Sequence, residues 1–355
     1  MKGMAKARMR IGIVTAGGDC PGLNAAIRGV GKTALLKYGH EIIGFSSGFL
    51  GLIRNEYKRL DELALSGILT VGGTILGSSR EKPFKQNEYD DYIKSKPEII
   101  RDNYKNLGLN CLVCIGGNGT QKTAYRLSKL GLNVVGIPKT IDNDVWGTDL
   151  TFGFDSAVSI AAEAIDRLHS TANSHKRIMV VEVMGHTAGW LALHAGVAGG
   201  GDVILMPEIP YKNKVISEYL IRRFEEGKPY SIVVVAEGIE LPDKKNGTSR
   251  NVPAGAYIAN QILKRTGLET RETILGYIQR GGSPTARDRI AATEFGAYAA
   301  EMIHRADYGK MAAYKGYKLV GIPLSDVAGK IKVIPKEHPL ILHARSLGTC
   351  FGDSS

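Results

Sequence analysis

The residues best suited to chemistry in this chain are two carboxylates, Asp142 and Asp144, in the run Pro138-Lys139-Thr140-Ile141-Asp142-Asn143-Asp144. They follow an apolar segment, Leu132 to Ile137, with the character of a buried strand. One carboxylate in such a turn can take a proton from a hydroxyl while the other helps hold a divalent cation. Alone, the pair could equally make Asx-type bonds to nearby backbone amides. Its company argues for chemistry. Two glycine-rich turns precede it, Thr15-Ala16-Gly17-Gly18-Asp19 and Ile115-Gly116-Gly117-Asn118-Gly119-Thr120. Glycines let backbone amides approach a phosphate without a Cβ clash, and a following helix adds the positive end of its dipole. Neither turn has the Gly-Lys-Ser/Thr ending of a Walker A loop or the spaced glycines of a dinucleotide fingerprint. The first extends to Gly22-Leu23-Asn24 and a helix, which favours phosphate binding over a plain turn. In the second, two glycines, Asn118, Gly119 and the Thr120 hydroxyl could wrap a phosphate chain and its Mg²⁺. The three turns together describe a site that receives a polyphosphate and transfers one phosphoryl group.

Elements that could carry these turns alternate along the chain. Strands are expected at Arg10 to Thr15, Glu41 to Phe45, Asn110 to Ile115, Val134 to Ile137, Ile178 to Val183, Val203 to Met206 and Ser231 to Ala236. Helices are expected at Asn24 to Tyr38, Gln121 to Leu130 and Ser156 to Ser170. This pattern predicts an α/β protein with mainly parallel sheets flanked by helices, its functional turns at the carboxyl ends of strands. A domain boundary is expected near Phe152 to Asp155, and the C-terminal stretch is left unassigned.

Composition sets the outer bounds. The 355 residues suffice for two packed domains, and 43% hydrophobic with 23% charged residues is ordinary for a globular protein. No apolar run approaches the roughly 20 residues that span a bilayer, and Met1 to Arg10 lacks the apolar core of a secretory signal. No membrane association and a cytoplasmic location are expected. Four cysteines are too few for a disulfide framework; Cys111 and Cys114 read as core residues of one strand, since no second pair completes a zinc site. The net charge of +11 raises the prospect of anionic partners. Its basic residues are scattered apart from Lys2, Lys6, Arg8 and Arg10, and aromatics are 7%, so small phosphorylated molecules are expected rather than nucleic acid.

Thr15 to Gly29, Gly72 to Arg80, Gly116 to Thr120, Pro138 to Asp144, Arg177 to Gly189 and Leu275 to Ser283 resemble in order the successive motifs of the 6-phosphofructokinases over about four-fifths of the chain. The resemblance implies two Rossmann-like domains. Residues 1–153 with about 279–330 would bind the phosphate donor, and about 154–278 with 331–355 the sugar phosphate. It implies phosphoryl transfer to the 1-hydroxyl of fructose 6-phosphate, with Mg²⁺ as cofactor and a homodimer or homotetramer as the assembly. Carried over by motif, Asp142 is the base, with Thr140 and Asp144 beside it; Gly18, Arg80, Gly117, Asn118, Gly119, Thr120 and Lys139 serve the donor, and Asn118 and Asp144 the metal. Thr140, Ile141, Asp142, Arg177, Met184, Gly185, His186, Glu237, Arg271, Tyr277 and Arg280 serve the sugar phosphate. Planar guanidinium groups suit bidentate phosphate recognition.

Departures from the best-known bacterial ATP enzymes are Asn118 for an aspartate, His186 for an arginine and Tyr277 for a histidine. On the donor, two positions disagree. Gly119 resembles ATP users, because an aspartate there would crowd an α-phosphate; Lys139 resembles pyrophosphate users. Steric room is a necessary condition for ATP, so ATP is the expected donor and pyrophosphate the alternative. At the effector cleft of those bacterial enzymes Arg28 and Lys228 match basic positions, but Lys32 and His169 replace arginines and Asp202 a glutamate; weak or absent control by ADP or phosphoenolpyruvate is expected. A nucleotide-binding regulatory subunit without catalysis is the non-enzymatic alternative. NAD or diacylglycerol kinases would fit the second glycine turn but not the acidic turn or Tyr277 to Gly282.

Overall fold

The computed structural model describes residues 8–85, 94–241 and 252–353. Lys2 and Lys6 of the N-terminal basic cluster lie outside them. The strands, in chain order, are β1 (Arg10–Thr15), β2 (Glu41–Phe45), β3 (Tyr57–Arg59), β4 (Cys111–Gly116), β5 (Val134–Pro138), β6 (Ile178–Val183), β7 (Val203–Leu205), β8 (Ser231–Ala236), β9 (Thr270–Ile274), β10 (Lys310–Lys315) and β11 (Lys318–Pro323). The chain divides into two compact units.

The first unit comprises residues 1–140, 144–153 and 280–331. Its sheet has the order β11-β10-β5-β4-β1-β2-β3. The five inner strands run parallel, and β3 and β11 pair antiparallel at the two edges. β4 (CLVCIG) is buried at every position, as a strand covered on both faces must be, and Cys111 and Cys114 are core residues of it. Burial pushes both thiols up, and pushes that of Cys20, beside the first glycine turn, up to about 12. All three therefore stay protonated at neutral pH. Among the described residues no group of three or more His, Cys, Asp or Glu side chains could hold a metal by itself.

Register fixes where the functional turns emerge. Thr15 pairs with Ile115, and Gly116 with Pro138, so β1, β4 and β5 end at one level and release their turns side by side. β1 is flanked by β2 on one side and β4 on the other, so the chain order reverses around it. That is the switch point at which open α/β sheets bind ligands. Gln121, fully buried, donates through Nε2 to the carbonyls of Gly116 (2.8 Å) and Ile137 (2.9 Å), tying the ends of β4 and β5 together.

The second unit comprises residues 141–143, 154–279 and 332–353 of the described chain. Its sheet, β7-β8-β6-β9, is parallel throughout. β6 and β8 are buried along their whole length, while β9 is an exposed edge. The helix Phe154–His175 opens this unit's main segment. Among the described residues no helix is long and apolar enough to cross a membrane.

The structure differs from the sequence reading at several elements. The helix expected over Asn24 to Tyr38 runs from Leu23 to Lys32 and then widens into a π-helical turn, Thr33–Lys37. β3, β9, β10 and β11 were not anticipated. β3 is three exposed residues, and β9 is a largely polar edge, so neither carries an apolar signature. β10 and β11 form a hairpin closed by Gly316 and Tyr317, both with positive φ (51° and 65°), as a tight two-residue turn requires.

Candidate active site

The first glycine turn is built around close approaches. Gly17 has φ +85°, and its N–H donates to the Ser79 carbonyl (3.0 Å) while its own carbonyl accepts from Ser78 Oγ (2.6 Å). A segment that carries Arg80, exposed at its end, is thereby tied to the turn. Gly18 is approached closely by a side chain: a Cβ there would displace the Arg280 guanidinium from its present place. Lys139, buried at the end of β5, donates through Nζ to the Gly18 carbonyl. Thr120 Oγ1 donates to the Ala16 carbonyl at 3.4 Å. Gly18, Thr120, Lys139 and Arg280 thus converge on one turn. Asn24, credited above with favouring phosphate binding, does other work. Its amide is fully engaged with the backbone of Val71, Gly72 and Ile75.

The second glycine turn is shorter than the sequence suggested. Only Gly117 remains between β4 and the helix Asn118–Lys129, so Asn118, Gly119 and Thr120 form the helix's first turn. No side chain caps that end, which leaves backbone donors and the positive end of the dipole available to an anion. A Cβ built on Gly119 meets nothing within 4 Å.

The acidic turn contains one left-handed residue. Asn143 has φ +50°, a left-handed conformation that asparagine tolerates better than most residues, and it separates the two aspartates. Asp142 is half-buried and Asp144 8% exposed. Asn118 Nδ2 donates to Asp144 Oδ2 at 2.7 Å and to the Asp144 carbonyl at 3.2 Å. Asn118 Oδ1, also buried, has no hydrogen-bond partner among the described residues. A buried, unmatched amide oxygen beside a carboxylate is a donor set that suits a hard cation such as Mg²⁺, whose remaining ligands are commonly phosphate oxygens and water. Thr140 is 8% exposed, and its carbonyl accepts from Thr151 Oγ1 (2.8 Å). Ile141 is 1% exposed, so its side chain belongs to the core and only its backbone could meet a substrate.

Several residues expected at the sugar phosphate lie in the second unit. The His186 N–H donates to Glu237 Oε1 at 2.9 Å, which holds a loop where Gly185 (φ +141°) and His186 (φ +52°) both have positive φ. Met184 N–H donates to Oε1 of the fully buried Gln279 at 3.3 Å. Arg177 and Arg271 share one partner, Glu269 Oε1, at 3.0 and 2.7 Å. Hydrogen bonding to Arg177 holds the Glu269 carboxyl below its usual range. Tyr277 is 73% exposed. Arg280, expected with these two arginines at the sugar phosphate, lies in the first unit beside Gly18. Its Nε is buried with no partner among the described residues, and Nη1 makes one long bond, 3.5 Å, to the Asp19 carbonyl. At the effector positions, Asp202 pairs with Arg223 (2.6 Å), Lys228 with Glu226 (3.2 Å), and His169 contacts the Gly199 carbonyl (2.7 Å), so these groups are engaged internally.

Sequence reasoning missed the parts that hold these groups rather than the groups themselves: Ser78, Gln121, Gln279, and the ion pair of Glu81 with Lys96. No motif announces them, because each acts through a partner that only the fold brings near.

Three turns at neighbouring strand ends, with an oxygen pair suited to a cation, define an α/β protein of the phosphate-binding class. The family model described as Phosphofructokinase matches residues 10–303. The ATP-dependent 6-phosphofructokinase 3 of Bacteroides thetaiotaomicron is 57% identical over 97% of this chain and 100% of its own length. The ATP-dependent 6-phosphofructokinase of Spirochaeta thermophila is also 57% identical, over 96% of this chain and 97% of its own. Among solved structures, Pichia pastoris phosphofructokinase in the T-state superposes with a TM-score of 0.81 at 32% identity, covering 91% of this chain and 35% of that much longer one. The chain belongs to the phosphofructokinase family.

Proposed function

We propose that this chain transfers the γ-phosphoryl group of ATP to the 1-hydroxyl of fructose 6-phosphate, giving fructose 1,6-bisphosphate as a step of glycolysis in the cytoplasm. The observation that carries this reading is the convergence at the ends of β1, β4 and β5, where Gly18, the helix start at Asn118 and the acidic turn emerge together. ATP as donor is supported by relatives named ATP-dependent and by the open space at Gly119, where an α-phosphate needs room. Lys139 donates one of its three ammonium hydrogens to the Gly18 carbonyl, a structural use it can keep with either donor.

The roles follow from the chemistry of each group. Asp142 takes the proton from the sugar hydroxyl as the bond to phosphorus forms. The Gly18 turn and the first turn of the helix at Asn118 present backbone donors to the phosphate chain. Arg280, with an unmatched Nε beside Gly18, supplies positive charge on the donor side, and Arg80 lies next to the residues that clasp Gly17. Asn118 Oδ1 and Asp144 would hold Mg²⁺, which when bound neutralises charge on the phosphoryl oxygens. Arg177, Arg271, Met184, Gly185, His186, Glu237 and Tyr277 are assigned to the sugar phosphate. An Asn118→Ala variant should need about tenfold more Mg²⁺ for half-maximal rate, with fructose 6-phosphate KM unchanged. An unaltered Mg²⁺ dependence would remove Asn118 from the metal site.

Self-association as a dimer or tetramer belongs to the same proposal. The edge strand β9 is exposed, with its last residue Ile274 43% exposed and, just beyond it, Tyr277 and Ile278 73% and 69% exposed. Light scattering on the purified protein should give at least twice the mass of one chain; a monomer at assay concentration would contradict this.

A further inference from the structure

A buried ion pair joins two residues, Lys96 and Glu81, to which the proposed reaction gives no role. Lys96, the first residue of the helix Lys96–Asn106, has a side chain only 5% exposed, and its Nζ lies 2.8 Å from Oε1 of Glu81, itself 16% exposed. Nothing in the helix calls for a lysine there. The helix already starts on a capping box between Ser95 and Glu98 with a proline in its first turn. A cation at a helix N-terminus also opposes the dipole. Taking two charges out of water is costly, and an apolar pair of similar volume is often as stable. The contact with Glu81 ties Lys96 to another part of the chain.

Glu81 directly follows Arg80. On the other side of Arg80, Ser78 and Ser79 are bonded to both polar groups of the Gly17 backbone. Three residues beyond Glu81, the Phe84 ring packs under the Arg126 guanidinium at 3.8 Å, and Arg126 sits on the helix that begins at Asn118. Arg80 is thus an exposed residue whose backbone is anchored on both flanks. We propose that Lys96 is a positioning residue for the phosphate donor: by gripping Glu81 it fixes the backbone from which Arg80 reaches the phosphate chain. The inference rests on the reading of Arg80 as a donor contact.

The test is steady-state kinetics on the full chain, titrating ATP at saturating fructose 6-phosphate. Lys96→Met should raise the ATP KM about tenfold with kcat within about twofold and the KM for fructose 6-phosphate unchanged. Lys96→Arg, which keeps the pair, should restore the ATP KM to within about twofold. In an Arg80→Ala background, Lys96→Met should add nothing, because the two act as one unit. A merely structural lysine would add its effect on the ATP KM equally in both backgrounds, and that result overturns the proposal, as does an unchanged ATP KM in Lys96→Met; a lower melting temperature follows from the unpaired Glu81 in either case and is not the criterion. Should Lys96→Met fail to fold, Glu81→Gln is read by the same criteria. Arg80→Ala alone separates the two layers: if it leaves the ATP KM unaltered, the donor role of Arg80 falls and this inference with it.

Discussion

An Asp142→Asn variant should lose about a thousandfold or more in kcat while binding fructose 6-phosphate nearly as well as the parent. The substitution keeps the size and one acceptor oxygen of the side chain and removes its ability to take a proton. Asp142 is half-buried in a turn whose next residue, Asn143, is left-handed and accepts from Lys332 Nζ at 2.8 Å, and the substitution leaves that contact in place. The fold should therefore survive, and the melting temperature with it. Isothermal titration with the sugar phosphate separates binding from turnover in the same sample. A variant that turns over at a rate near the parent's would take the base role away from Asp142, while one that also lost sugar-phosphate binding would assign the residue to binding.

Gly119→Asp should exclude ATP, with kcat/KM for ATP falling about a hundredfold and the fold unaffected. The argument is spatial. Gly119 lies in the first turn of the helix at Asn118, and a Cβ there meets nothing within 4 Å, so the protein itself accommodates the new side chain. An α-phosphate brought into that space meets both its bulk and its negative charge. An acidic group at a helix N-terminus interacts favourably with the dipole, so the melting temperature should not fall. Circular dichroism checks the fold, and a coupled assay checks the rate. Unchanged use of ATP would show that the nucleotide does not pass over this turn, and the steric argument for the donor would be lost.

Much of this site was legible before any coordinates. The strands ending in Thr15 and Ile115 could be read because each is an uninterrupted apolar run broken by glycines, and buried parallel strands give that signal cleanly. The acidic turn stood out through its company: alone two aspartates in a turn suit Asx-type bonds, but two glycine-rich turns ahead of them argue for chemistry. The edges were not legible. β3 and β9 lack apolar alternation, and β10 with β11 depends on a turn at Gly316-Tyr317 that composition does not reveal. Nor could spacing have shown that Asn118 to Thr120 are helical, since the glycine there disfavours a helix that the following residues then impose. Asn24 misled for a similar reason: an amide near a glycine turn suits a ligand, but a buried one satisfies backbone that sequence cannot locate. Arg280 could be found by motif, yet its place against Gly18 required the fold, because 262 positions of chain separate the two.

The most direct measurement is phosphorus NMR of the purified protein mixed with fructose 6-phosphate and Mg²⁺, once with ATP and once with pyrophosphate. With ATP, the γ-phosphate resonance should decay as a sugar 1-phosphate resonance and the signals of ADP grow in equal amounts; with pyrophosphate the spectrum should stay essentially constant. Transfer from pyrophosphate alone would contradict the assignment of the donor. No new sugar phosphate with either compound would contradict the assignment of the reaction itself.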